Sequence, residues 1–127
     1  MVKIKADAIK NRLYITIIGT LNLDEAIEAK QNILKSIDLL SPGFNVINDI
    51  SKFIRGDEQA GIILKELIVL LIQKKVNKVV WVVGTSKVGL IQFAKNTLPL
   101  DQYQISYVPT LEEAETILEN DVAENKN

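Results

Sequence analysis

The chain has 127 residues, 47% of them hydrophobic and 24% charged, with a formal net charge of −1. That length suits one domain burying about two-thirds of its unfolded surface, and the near-zero charge offers no general pull toward nucleic acid or an acidic membrane. Cysteine and histidine are both absent, which excludes disulfides and thiol chemistry and removes the commonest general base and metal ligand.

Met1-Val2-Lys3-Ile4-Lys5 lacks the apolar core of a signal peptide. The strongest apolar run, Leu67 to Ile72, is six residues long, against the roughly 20 that cross a bilayer. The expectation is a cytoplasmic protein with no membrane insertion. Val2, Ile4 and Ala6 alternate with Lys3 and Lys5, the pattern of a half-buried strand. Lys10-Asn11-Arg12 predicts a turn in which Asn11 tolerates a left-handed backbone. Leu13 to Ile18, β-branched and aromatic, predicts the hairpin partner, ended by Gly19 and Thr20.

Asn22 with Glu25 three residues later predicts a capped helix start. Leu23, Ala26, Ile27, Ile33, Leu34, Ile37 and Leu40 share one side of that helix, and Ser41-Pro42-Gly43 stops it. Phe44 to Ile47 predicts a buried strand, and Asn48 to Ala60 a strand-to-helix loop. The helix expected from Asp57 to Lys75 has an apolar stripe of Ala60, Ile63, Leu64, Leu67, Ile68 and Leu71. Ile62, Val69, Leu70 and Ile72 widen that stripe beyond what an ordinary surface helix needs. Three uses stay open for the extra width: packing between neighbouring helices, a homodimer face, or the wall of an apolar ligand pocket.

Val79-Val80-Trp81-Val82-Val83 has no alternation and predicts a strand buried on both faces. A short helix carrying Val88, Ile91, Phe93 and Ala94 follows, and Pro99 breaks it. Ile105 to Val108 predicts the last strand. Thr110 with Glu113 predicts the cap of a final helix whose face is Leu111, Ala114, Ile117 and Leu118. The charged stretch from Glu119 is expected to fray, leaving a single domain over residues 1–120 and a tail over 121–127. The order β-β-α-β-α-β-α-β-α predicts an α/β fold with about four helices. Its sheet is mixed and mostly parallel, an opening β-hairpin followed by alternating βα units.

Asp49-Ile50-Ser51 closing a strand, with Asp57 opening a helix, resembles the signature loop of STAS domains. This is the fold of anti-sigma-factor antagonists and of sulfate transporter tails, and its element order matches nearly the whole chain. The bacterial pattern runs Asp-Leu-Ser, a short apolar stretch, then Asp-Ser-Ser-Gly. Here Glu58-Gln59-Ala60 stands in place of Ser-Ser-Gly. In the antagonists that the chain resembles, a kinase phosphorylates a serine of that pair and the added charge releases the partner. Gln59 occupies that serine's position and Glu58 the neighbouring one, so the resemblance implies the fold without the phospho-switch at that site.

Gly84 to Gly89 has the GxxxxG spacing of a phosphate loop, but Leu90-Ile91 follows where Lys-Ser/Thr is required, so a turn explains the glycines better. Asp49, Asp57 and Glu58 invite an acid–base or metal reading, yet Asp57 as an N-cap with Glu58 in the first helical turn is the simpler one. Ser51 reads as a loop hydroxyl bonded to its own backbone. Lys52 and Arg55 flank Phe53-Ile54, which either tuck under the loop or form a docking edge. The expected function is a non-catalytic regulatory or protein-interaction module needing no cofactor. Its partner is a protein that meets Asp49, Ser51, Lys52, Phe53, Arg55, Asp57, Glu58 and Gln59. The alternative is a carrier or sensor of a small apolar, lipid-like ligand.

Overall fold

The computed structural model describes residues 1–84 and 104–125. Its chain order is β1 (Val2–Asp7), β2 (Arg12–Leu21), α1 (Leu23–Ile37), β3 (Asn45–Gly56), α2 (Glu58–Gln73), β4 (Lys78–Val82), β5 (Gln104–Val108) and α3 (Leu111–Asn125). The five strands form one sheet in sequence order, β1-β2-β3-β4-β5. β1 is antiparallel to β2, and every later pairing is parallel. The α/β architecture and the mixed, mostly parallel sheet are those expected from the sequence. Three helices lie among the described residues, and the short helix expected around Val88 to Ala94 lies outside them.

The opening hairpin turns because Asp7 Oδ1 accepts from the backbone N–H groups of Ile9 and Lys10, each at 3.1 Å. Asn11 takes the left-handed conformation, with φ of 53°. Its side chain also clasps Ser41 through two hydrogen bonds, so this turn is tied to the loop after α1. The start of α1 has the full reciprocal cap: Asn22 Oδ1 accepts from Glu25 N–H at 2.8 Å, and Glu25 reaches back to Asn22 N–H. The Met1 amino group adds an ion pair to Glu25 at 3.2 Å and holds that carboxyl below its ordinary range.

Alternation along the strands sends side chains to two faces. On one face Leu13, Ile15, Ile17, Val46, Ile50, Val79 and Val83 meet Ile33 and Ile37 of α1 and Leu67 and Leu71 of α2. On the other, Ile47, Val80, Val82 and Val108 meet Ala114 and Leu118 of α3. Central strands β3 and β4 are therefore apolar on both sides, as parallel sheets between helices require. α3 runs to Asn125, beyond Glu119 where the charged composition predicted fraying.

Arg12, at the start of β2, is only 2% exposed. Its guanidinium pairs with Glu115 of α3, whose other oxygen accepts from the Tyr14 hydroxyl at 2.7 Å. Burial pushes the Tyr14 phenol up, with hydrogen bonds from Arg12 and to Glu115 acting in opposite directions. This cluster pins α3 to the first parallel strand.

The largest departure from the sequence reading is β3. The segment after Ile47 is not a loop. It continues as strand to Gly56, paired with β2 as far as Leu21↔Gly56. The strand was hidden because it is irregular. Thr16 and Ile18 pair with Asp49 and Lys52, and Gly19 and Thr20 pair with Phe53 and Arg55, so β3 carries one extra residue at each place. Each such bulge interrupts the period-two pattern. Ile50 and Phe53, an odd number of positions apart, consequently both pack against the core of the α1–α2 face.

Candidate functional site

The pairing of β3 with β4 ends at Asp49↔Val82. From Ile50 to Gly56, β3 projects beyond that point with β2 as its ladder partner among the described residues. Parallel strands deliver their loops to the C-terminal edge of a sheet, where α/β proteins place sites. Here a strand extension stands at that edge.

At its base Asp49 Oδ1 accepts from both the N–H of Ser51, at 3.0 Å, and its hydroxyl, at 2.6 Å. The Ser51 hydroxyl is thus bonded to a neighbouring carboxylate and not to its own backbone as expected. This local turn fits the first bulge, where Ile50 and Ser51 crowd opposite Ile17. Lys52 is exposed, Phe53 is half-buried against the core, and Ile54 is 71% exposed. The Phe53-Ile54 pair therefore divides: the ring tucks in and the isoleucine stays in solvent. Arg55 and Asp57 to Gln59 are all exposed.

Asp57 occupies the N-cap position of α2 with an extended backbone, but its carboxylate makes no capping hydrogen bond. The turn is held instead by its main chain. Asp57 N–H donates to Leu21 O at 3.0 Å, and its carbonyl accepts from Gly61 N–H at 3.1 Å. The sequence placed the cap correctly but not its chemistry.

Between α2 and the sheet lies a cleft of about 680 Å³. Its sheet side is Ile15, Ile17, Val46, Asn48, Ile50, Val79 and Trp81, and its helix side includes Leu64, Leu67, Ile68 and Leu71. Phe53, Ile54, Arg55, Asp57, Glu58, Ile62 and Lys65 also line it. It is the main apolar stripe of α2 that borders the cleft; of the four residues that widen it only Ile62, 54% exposed, is among the lining, and Val69, Leu70 and Ile72 are not. Of the residues singled out from sequence, Phe53, Arg55, Asp57 and Glu58 converge on the cleft. Asp49, Ser51, Lys52 and Gln59 are not among its lining residues.

Asn48 and Trp81 escaped the sequence reading. Asn48 looked like the first loop residue after an apolar strand, and Trp81 looked like one more residue of a doubly buried strand. The available signal was a polar residue two positions after Val46, on the same face of a continuing strand.

Among the described residues no three acidic side chains are grouped to hold a metal ion. No helix among them is long and apolar enough to cross a membrane.

The amino-acid sequence matches no family model and no curated protein sequence. Solved structures do match in fold. One is a protein with a SpoIIAA-like fold from Shewanella loihica, with a TM-score of 0.68 at 11% identity over 93% of this chain and 92% of that one. Another is the anti-sigma factor antagonist SpoIIAA in its unphosphorylated form, at 0.63 and 8% identity over 91% and 94%. A third is an anti-sigma factor antagonist from Mycobacterium paratuberculosis, at 0.57 and 18% identity over 94% and 95%. The fold is SpoIIAA-like, that of the STAS domains, as the signature-loop resemblance implied.

Proposed function

We propose that this SpoIIAA-like chain is a regulatory module that acts by binding a protein partner and not by catalysis. The observation that carries this reading is the β3 extension. It presents Lys52, Ile54 and Arg55 to solvent on a hydrogen-bonded strand, followed at once by exposed Asp57, Glu58 and Gln59. A partner meeting this edge finds a fixed surface, an apolar anchor at Ile54 and cations on either side of it. Asp49 and Ser51 contribute by locking the bulge at its base. The module works without phosphorylation at the head of α2, because positions 58, 59 and 60 are Glu, Gln and Ala and offer no hydroxyl.

Affinity capture from the source cells tests the edge. The wild-type chain is expected to retain a protein that Lys52→Glu and Ile54→Glu lose while their circular dichroism stays unchanged. Folded variants that retain the same protein at the same yield would refute it.

A second reading, a carrier or sensor of a small apolar ligand, is favoured by the cleft. Its volume of about 680 Å³ falls within the roughly 300–1,000 Å³ typical of small-molecule sites.

A further inference from the structure

Two residues that line the cleft, Asn48 and Trp81, each carry a polar atom shielded from solvent, Asn48 Oδ1 and Trp81 Nε1, with no hydrogen-bond partner among the described residues. The two residues are register partners on adjacent strands, Asn48 of β3 and Trp81 of β4, and both line the cleft. Neighbouring strands run about 4.8 Å apart at the backbone, so the two side chains stand side by side on the sheet face that floors the cleft. One is an acceptor and the other a donor. Folded proteins seldom leave such atoms unpaired, and an unpaired group asks for a partner outside the chain. Beside them, Val46, Ile50, Leu67 and Val79 offer only aliphatic surface. The charged lining residues Arg55, Asp57, Glu58 and Lys65 are all exposed, two of each sign.

We propose that the cleft binds a neutral amphiphile, an apolar body carrying one hydroxyl-type head that donates to Asn48 Oδ1 and accepts from the Trp81 indole N–H. The proposal rests on the ligand-carrier reading above. A hydroxyl supplies both halves of the pair from a single oxygen. A carboxylate is acceptor-only and sets its lone pairs against Asn48 Oδ1, whereas an ammonium is donor-only and leaves the indole N–H unmet. A bare hydrocarbon leaves both atoms unpaired. Both atoms are shielded from solvent, so they reach the head only when these side chains turn, and the indole reports that turn.

Trp81 is the chain's single tryptophan, so its emission reads the cleft directly. Titrations of the intact protein with 1-octanol, octyl methyl ether and octanoate test the pairing. Octanol is expected to saturate the emission change with an affinity at least tenfold above the ether, which cannot donate; one hydrogen bond is worth about that factor. Asn48→Leu is expected to reduce octanol to the ether's affinity, to leave the ether unchanged, and to raise the unfolding midpoint of the protein without ligand by removing an unpaired polar atom. Equal saturable binding of octanol and ether, or octanoate binding tighter than octanol, would overturn the head-group assignment while leaving an apolar carrier in place. No saturable binding of any of the three would overturn the carrier reading and the proposal together.

Discussion

The Arg12–Glu115 pair is where a single atom-level change should cost the most stability. Replacing Glu115 with Ala leaves the Arg12 guanidinium 2% exposed without its carboxylate and strips the Tyr14 hydroxyl of its acceptor. Removing one partner of a buried ion pair costs about 3–5 kcal/mol, chiefly because the remaining charge stays desolvated. Glu115 is itself 26% exposed in its side chain, so solvent relieves part of that, and we expect about 3 kcal/mol. For a domain of this size that lowers the thermal midpoint by roughly 10 °C. Urea unfolding, followed by Trp81 emission and by far-ultraviolet circular dichroism, measures the loss. The double variant Arg12→Met with Glu115→Leu removes the charge together with its partner and should recover most of it, since apolar replacements of buried pairs are near neutral or stabilising. A single variant that loses less than about 1 kcal/mol, or a double variant no more stable than the single, would refute the assignment of Arg12 as a desolvated charge.

The two cap positions should behave differently from one another. Asn22→Ala breaks a complete capping box and should cost about 1 kcal/mol, whereas Asp57→Ala, whose carboxylate caps nothing, should stay within about 0.5 kcal/mol; paired denaturant curves decide it. Stability should also depend on pH at both ends. The folded Glu25 carboxyl titrates below its unfolded value because of the Met1 amino group and the Asn22 N–H. Its contribution is therefore complete above the unfolded carboxylate range and lost as pH falls through the lowered folded value. The Tyr14 phenol is raised by burial, so its contribution is complete below the unfolded value near 10 and lost as pH rises through the folded one. Thermal midpoints across pH should show a shallower acid decline for Glu25→Gln and a shallower alkaline decline for Tyr14→Phe.

The parts of the fold that were legible in the sequence are those where one local rule acts alone. The alternation of Val2, Ile4 and Ala6, the unbroken Val79 to Val83 run and the Asn22–Glu25 cap each dictate an element regardless of context. β3 was legible only up to Ile47. Beyond it, Ser51, Lys52, Arg55 and Gly56 carry weak strand propensity, and two extra residues break the alternation that would have revealed the strand. Pairing with β2 fixes those residues, and no window on β3 alone contains that information. The candidate site was half legible for the same reason. Phe53, Arg55, Asp57 and Glu58, singled out from the sequence, line the cleft, but Asn48 and Trp81 acquire meaning only when β3 and β4 are set side by side.

The strands lie in the sheet in the order in which they occur along the chain. A chain emerging from the ribosome can therefore add each strand to the one before it without waiting for a distant segment, which favours early growth from the N-terminal hairpin. The exception is Arg12, whose partner Glu115 follows 103 residues later. Until α3 is made, that cation faces water on an open sheet surface. Its capture by Glu115 is the contact that fastens the last helix to the beginning of the chain.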